Sequence, residues 1–197
     1  MTGVQRCALP IFITQTETHI ASIDPINGAL LWQIPYAGLG PQNIITPVLA
    51  GELVVYGGWG KPTVAIALAV DGGTWTTRER WRNEDLWMNL GSPVVVSDVL
   101  YGFSQKNRGQ FVAVDTASGQ TLWKSDAGRG EYSAIVAAAN GIVATTTDGH
   151  LLVQRFGKSA FEPRVYSVSN GPIWSYPVPT ARGLLIRSLS SVSLWRL

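Results

Sequence analysis

Little in this 197-residue sequence could support thiol or soft-metal chemistry. Its one cysteine, Cys7, excludes a disulfide within the chain and a cysteine-built metal site. The two histidines, His19 and His150, lie far apart in β-rich runs, with no Cys or Asp at metal-ligand spacing, and read as strand residues. Charged residues make up 14%, against roughly 25% in ordinary soluble domains, so a disordered chain is excluded. A net charge of +2 gives no field that would recruit nucleic acid or an anionic membrane. The longest apolar run, Val64 to Val70, has seven residues, where a membrane helix needs about 20. Residues 1–11 lack the basic start and long apolar stretch of a secretory signal. No window sustains a 3.6-residue apolar period with caps, so helix should be scarce.

What the chain has in quantity is Gly 21, Pro 11 and Trp 8, the makings of many turns and many aromatic anchors. The opening string MTGVQRCALPI resembles the conceptual translation of a sequencing adapter. It is read as a non-native scar and set apart from the fold, with the natural protein expected to begin earlier. Beyond it a repeat emerges. Thr46-Pro47-Val48-Leu49, Ser92-Pro93-Val94-Val95, Ser133-Ala134-Ile135-Val136 and Tyr176-Pro177-Val178 are versions of one phrase, at steps of 46, 41 and 43 residues. A second phrase runs in phase with it: Asp24, Gly28, Trp32, then Asp115, Gly119, Trp123. Asp71, Gly73 and Trp81 form a stretched copy, and Val165-Tyr166 a degraded one.

β-Rich pairs fill the space between the phrases. Gly141–Thr147 and His150–Phe156 flank Asp148-Gly149, which predicts a hairpin closed by a two-residue type I′ turn. The Pro-Val-Val runs are continuously apolar and should be buried on both faces. In the Asp-x-x-x-Gly segment, Asp can bond nearby amides and Gly can turn left-handed. The Trp that follows can lay its ring between neighbouring sheets. Four short antiparallel strands per roughly 42 residues describe a β-propeller blade.

The stretches Ala113-Val114-Asp115-Thr116-Ala117-Ser118-Gly119-Gln120-Thr121-Leu122-Trp123 and Ser22-Ile23-Asp24-Pro25-Ile26-Asn27-Gly28-Ala29-Leu30-Leu31-Trp32 resemble the tryptophan-docking repeat of the PQQ-binding-like β-propeller family. The resemblance implies an all-β fold of about four to five four-stranded antiparallel blades. They are read at residues 12–38 (partial), 46–84, 92–126, 133–168 and 176–197 (partial). The family usually closes seven or eight blades, so an open arc is expected here. It also implies a periplasmic or extracellular location. Its members include quinone-dependent dehydrogenases, an outer-membrane assembly lipoprotein and sensor domains, so fold alone does not give function.

A quinoprotein of this family would need PQQ and a calcium ion held by six to eight oxygens. The acids here sit instead in repeat turns (Asp24, Asp71, Asp115, Asp148) or beside basic residues (Glu79, Glu84, Asp85), and no carboxylate cluster, catalytic residue or metal site stands out. Lys61 after Gly60 lacks the Ser/Thr and helix of a phosphate loop. Arg78, Arg80 and Arg82 alternate and should share one strand face. The loops entering each first strand ring one mouth of a propeller channel. They offer Asn43, Asn89, Arg129, Glu131 and Trp174, with Trp59, Trp87 and Arg108 on neighbouring loops. The favoured reading is a non-catalytic scaffold presenting these loops to an unidentified protein or small molecule. The alternative is a fragment of a PQQ- and calcium-dependent alcohol or sugar dehydrogenase.

Overall fold

Short apolar runs separated by tight turns can bury both of their faces only by stacking sheet against sheet. The computed structural model describes residues 11–196, so the adapter-like string, Ile11 excepted, lies outside the described residues. Eighteen strands among these residues form five antiparallel sheets, each a simple meander. Sheet 1 holds β1 (Phe12–Gln15), β2 (His19–Ile23) and β3 (Leu30–Pro35). Sheet 2 holds β4 (Val48–Ala50), β5 (Leu53–Gly58), β6 (Lys61–Asp71) and β7 (Thr74–Asn83). Sheet 3 holds β8 (Val94–Val96), β9 (Val99–Ser104), β10 (Gln110–Asp115) and β11 (Thr121–Lys124). Sheet 4 holds β12 (Ser133–Ala138), β13 (Gly141–Thr146), β14 (His150–Arg155) and β15 (Arg164–Ser167). Sheet 5 holds β16 (Val178–Thr180), β17 (Gly183–Arg187) and β18 (Val192–Trp195). One 3-10 turn, Lys106–Arg108, is the only helical piece among the described residues. The sheets make an open arc of a β-propeller.

The core is four layers, one between each pair of successive sheets. Because side chains alternate along a strand, the second strand of each of the three inner sheets serves two layers. Val54 and Tyr56 face Ile20 and Trp32 of sheet 1, while Val55 faces Leu100 and Val112 of sheet 3. β13 divides the same way: Ile142 and Ala144 join the layer of Phe111 and Trp123, and Val143 joins that of Leu184 and Ile186.

The Pro-Val-Val strands do not carry this burial. β4 and β8 are mostly half-buried and β16 is exposed, whereas β9 and β13 are buried throughout. Those three first strands have three residues each, with a hydrogen-bonded neighbour on one side only. They converge at the inner edge of the arc: the Thr46 amide donates to Ser92 Oγ (3.0 Å) and the Ser92 amide to the Tyr176 hydroxyl (3.0 Å). The β13–β14 hairpin forms, but not through a type I′ turn. Only Gly149 is left-handed (φ +84°), and its amide donates to Thr146 O at 3.2 Å. Asp148 keeps a negative φ, accepts from the Thr146 hydroxyl and lies 3.0 Å from His150 Nδ1. His150 therefore does meet an acid. Burial works to raise the Asp148 carboxyl, but the Thr146 and His150 hydrogen bonds outweigh it and hold it below the usual range.

Each docking tryptophan follows a β-bulge. Trp32 pairs with Ser22, Trp81 with Ala65 and Trp123 with Ala113, and each ladder slips by one residue at that point. The extra residues are Leu31, Arg80 and Leu122. A bulge flips the side chains beyond it to the other face, which aims the indole at the next sheet. It also corrects the reading of Arg78, Arg80 and Arg82: with Arg80 as the extra residue, Arg78 and Arg82 lie on opposite faces.

The two short docking turns are alike. Gly28 N donates to Asp24 O and Gly119 N to Asp115 O, both at 2.8 Å, with φ of +76° and +74°. The Asp24 carboxylate accepts from the Ile26 amide, and that of Asp115 from the Ala117 and Ser118 amides. Trp81 lies on the second turn and donates from Nε1 to Thr116 O at 2.8 Å. Trp123 reaches Gly157 O of sheet 4 at 3.2 Å. Trp32 is buried yet finds no acceptor on the protein. The hairpin of the sheet it meets, β6–β7, is longer and is closed at Gly72-Gly73 by two successive left-handed residues (φ +54° and +85°).

Polar ties reinforce the junctions. Gln15 Nε2 donates to Gly57 O (2.8 Å) and the Tyr36 hydroxyl to Pro62 O (2.9 Å), joining sheets 1 and 2. Asn83 Nδ2 donates to Gly119 O (2.8 Å), and Asp85 accepts from Thr121 Oγ1 (2.8 Å) and pairs with Lys124 (3.0 Å), joining sheets 2 and 3. Lys158 of sheet 4 bonds Asp98 and Asp115 of sheet 3. The Ser118 amide and hydroxyl, with Lys158, hold the Asp115 carboxyl below its usual range, and Lys158 does the same for Asp98.

Two predictions follow from these junctions. A Cβ at Gly119 would lie 2.6 Å from the Trp81 ring, whereas one at Gly28 meets nothing within 4 Å. Gly28→Ala should cost about 1–2 kcal/mol from its left-handed backbone, and Gly119→Ala a further roughly 1–3 kcal/mol from the clash, read from urea unfolding. The second concerns acid. Folded-state carboxyls held below their ordinary value of 3.8 stabilise the fold above that value and lose this as pH falls through the depressed values. The urea midpoint should therefore drop below about pH 4, and Lys158→Met should flatten that drop.

Candidate functional site

The turns from second to third strands and the loops entering first strands emerge on one face of the arc. There a cleft of about 810 Å³ is lined by Asn89 and Leu90 (β7–β8 loop), Gln105 and Arg108 (β9–β10 loop), and Ala127, Gly128, Gly130 and Glu131 (β11–β12 loop). It thus gathers the loops that join sheet 2 to sheet 3 and sheet 3 to sheet 4, with the β9–β10 turn between them.

The register of β9 and β10 pairs Ser104 with Gln110, so five residues must turn the chain. They do so with three successive left-handed residues: Asn107 (φ +54°), Arg108 (φ +62°) and Gly109 (φ +96°). A bulky side chain at positive φ is an outlier, costing of order 1–3 kcal/mol. Main-chain bonds to the next loop hold it: Gly128 N to Asn107 O (3.1 Å), Arg129 N to Gly109 O (3.0 Å) and Gly130 N to Arg108 O (3.2 Å).

Trp87 stands beside this pair of loops with Lys106 Nζ 4.3 Å above its ring. Its main chain is fixed at both ends. The Trp87 amide donates to Ser104 Oγ (3.0 Å), and Gln105 N donates to Trp87 O (2.9 Å). Buried Ser104 also donates to Asp85 O at 2.7 Å, linking the cleft to the sheet 2–3 tie.

The eight sequence-derived candidates fall into separate groups. Asn89, Arg108 and Glu131 line the cleft, with Trp87 beside it on the Asn89 loop. Arg129, in the Glu131 loop, sits 5.8 Å from the Phe161 ring and 3.6 Å from Asp126. Trp174 stacks on Tyr132 at 5.6 Å, next to the same loop. Asn43 and Trp59 belong elsewhere, at the sheet 1–2 junction. Asn43 Nδ2 approaches the carbonyl oxygens of Thr16, Glu17 and Tyr36 at 2.6–3.1 Å. The Trp59 carbonyl accepts from Leu39 N, and its ring closes against Gly40. Sequence reasoning missed Gln105 and the left-handed Asn107-Arg108 turn. The Gly109 after them and the glycines of the Gly128-Arg129-Gly130 stretch were the available signals.

Electrostatically the cleft is open for contacts. Arg108 and Glu131 are exposed and neither makes an ion pair among the described residues, while Asn89 Oδ1 is buried without a partner on the protein. Among the described residues no three His, Cys, Asp or Glu side chains are grouped to hold a metal ion. Such a surface can grip polar and charged groups by hydrogen bonds; it presents no nucleophile–base pair.

The stacked antiparallel sheets and their open-arc arrangement define a PQQ-binding-like β-propeller repeat protein. The family model described as outer membrane protein assembly factor BamB matches residues 10–124, more than half of the chain, and the chain belongs to that family. The crystal structure of BamB from Moraxella catarrhalis superposes with a TM-score of 0.69 at 18% identity, covering 92% of this chain and 52% of that one. The chain therefore spans about half the length of that structure. No curated protein matches it.

Ser104→Ala would leave the Trp87 amide and the Asp85 carbonyl without their partner. It should cost about 1–3 kcal/mol in urea unfolding and speed hydrogen exchange at the Trp87 amide, leaving that of Trp123 slow.

Proposed function

We propose that this arc is part of a non-catalytic scaffold that binds another protein through the cleft on its loop face. The single observation that carries the reading is the convergence of Asn89, Arg108 and Glu131, from three loops of successive sheets, on one cleft with unpaired charges. Family membership supports it, since the family is named for an assembly factor of outer membrane proteins. A place at the outer membrane follows from the same reading; no helix among the described residues is long and apolar enough to cross a membrane. The mechanism is presentation. Stacked sheets fix the loops, so the partner meets polar groups already in place and little ordering entropy is lost on binding. No observation favours the calcium- and quinone-dependent alternative.

The test is photocrosslinking in cells producing the full-length protein. A photoreactive residue at Arg108 or Glu131 should give one discrete adduct; one at Asn140, in the β12–β13 turn, should give none. The charge reversal Arg108→Glu should lower the yield at position 131 about ten-fold. Equal labelling at all three positions, or PQQ- and Ca²⁺-dependent alcohol oxidation by the full-length protein, would defeat the proposal.

A further inference from the structure

The β6–β7 hairpin is longer than its own repeat requires. Trp81 follows its cross-strand partner Ala65 by sixteen positions, whereas Trp123 follows Ala113 and Trp32 follows Ser22 by ten. β7 has 10 residues, against 6, 4 and 4 in the outer strands β3, β11 and β15. Leu68 and Trp75 pack back on the sheet 1–2 layer. Beyond them Ala69, Val70, Thr74 and Thr76 are exposed. The Trp32 indole packed against this hairpin's sheet has no hydrogen-bond partner on the protein, and the arc does not bury the hairpin's tip.

β7 pairs only with β6, so the alternate amides and carbonyls on its outer side meet no strand. Proteins guard such edges by shortness, charged side chains, proline or bulges. β7 contains no proline or lysine, its one bulge lies at Arg80 and its charged residues are confined to Arg78–Arg82, leaving Thr74–Thr77 regular and uncharged. Arg82 is paired with Glu79 at 2.9 Å. Arg78 and Arg80 are exposed and make no ion pair among the described residues. β7 carries three arginines to one glutamate, so a second β7 edge meets net charge of its own sign while an acidic strand is attracted.

We infer that the free edge of β7 over Thr74–Glu79 is a docking strand for an extended acidic segment of a partner protein, joined by strand addition. The main chain of Thr74–Glu79 supplies the hydrogen bonds, and Arg78 and Arg80 select carboxylates. This surface is separate from the loop-face cleft and does not depend on it.

The experiment titrates the chain with a capped eight-residue peptide alternating Glu with Val and Thr, followed by fluorescence anisotropy and amide hydrogen exchange. The Glu peptide should bind and slow exchange at alternate β7 amides. Methylation of its alternate backbone nitrogens should weaken binding at least about ten-fold, as strand addition demands. The double variant Arg78→Glu/Arg80→Glu should prefer the matching Lys peptide, and Arg108→Glu should bind the Glu peptide unchanged. Indifference to N-methylation would overturn the inference. So would protection appearing at the Gln105–Gly109 loop instead of β7, or β7-dependent dimerisation of the chain in sedimentation. Loss of peptide binding in Arg108→Glu would place the peptide in the cleft, sinking this inference while leaving the cleft reading intact.

Discussion

An indole set between successive sheets is the contact on which three of the arc's four junctions depend. Every sheet here has two apolar faces, so none can be stable alone, and each needs a device that fixes its distance and rotation against the next. Trp81 shows how that is done: a bulge turns the strand, the ring covers Gly119, and Nε1 finds the Thr116 carbonyl at 2.8 Å. Burying a side chain of that size contributes roughly 4 kcal/mol as an upper estimate. The hydrogen bond adds less, about 1 kcal/mol, but it sets direction, which area burial cannot.

The junctions then differ in what supplements the apolar layer; sheets 1 and 2 are joined by Gln15 to the Gly57 carbonyl and Tyr36 to that of Pro62. Between sheets 2 and 3 the indole is supplemented by Asn83 and Asp85; between sheets 3 and 4 Trp123 is supplemented by Lys158. Between sheets 1 and 2 the indole lacks an acceptor, and at the sheet 4–5 layer Tyr166 packs where the repeat has degraded. The loop-face cleft is joined to the Asp85 tie through Ser104, whose hydroxyl donates to the Asp85 carbonyl at 2.7 Å. A surface that must hold polar groups ready for a partner gains from such support.

The repeat made the fold legible because period and turn chemistry are local. Asp24 and Asp115, Gly28 and Gly119 behave as their spacing implies, and the strands β9 and β10 fall where alternation places them. What depended on a third dimension was not legible. A single inserted residue before each Trp is invisible in a pattern of apolar letters, yet it decides which face Arg78 and Arg82 occupy. The Val-rich first strands looked most buried because composition reports hydrophobicity, not position, and their place at the inner edge leaves them one strand neighbour. In the site, Asn89, Arg108 and Glu131 were recognisable as loop residues. That they share a cleft while Asn43 and Trp59 do not depends on how the sheets rotate about the axis.

Arg108 is where local stability and surface chemistry disagree most clearly. Five residues suffice to join β9 to β10, and a glycine at position 108 would adopt φ +62° without penalty. Gly109, Gly128 and Gly130, all at positive φ, show that this chain uses glycine where the backbone requires it. An arginine held left-handed by the carbonyl bond to Gly130, with no acid beside it to repay the strain, contributes nothing evident to the fold. Its side chain, like that of Asn107, reaches solvent, and under the proposed function the strained backbone is offset by what the guanidinium meets in a partner.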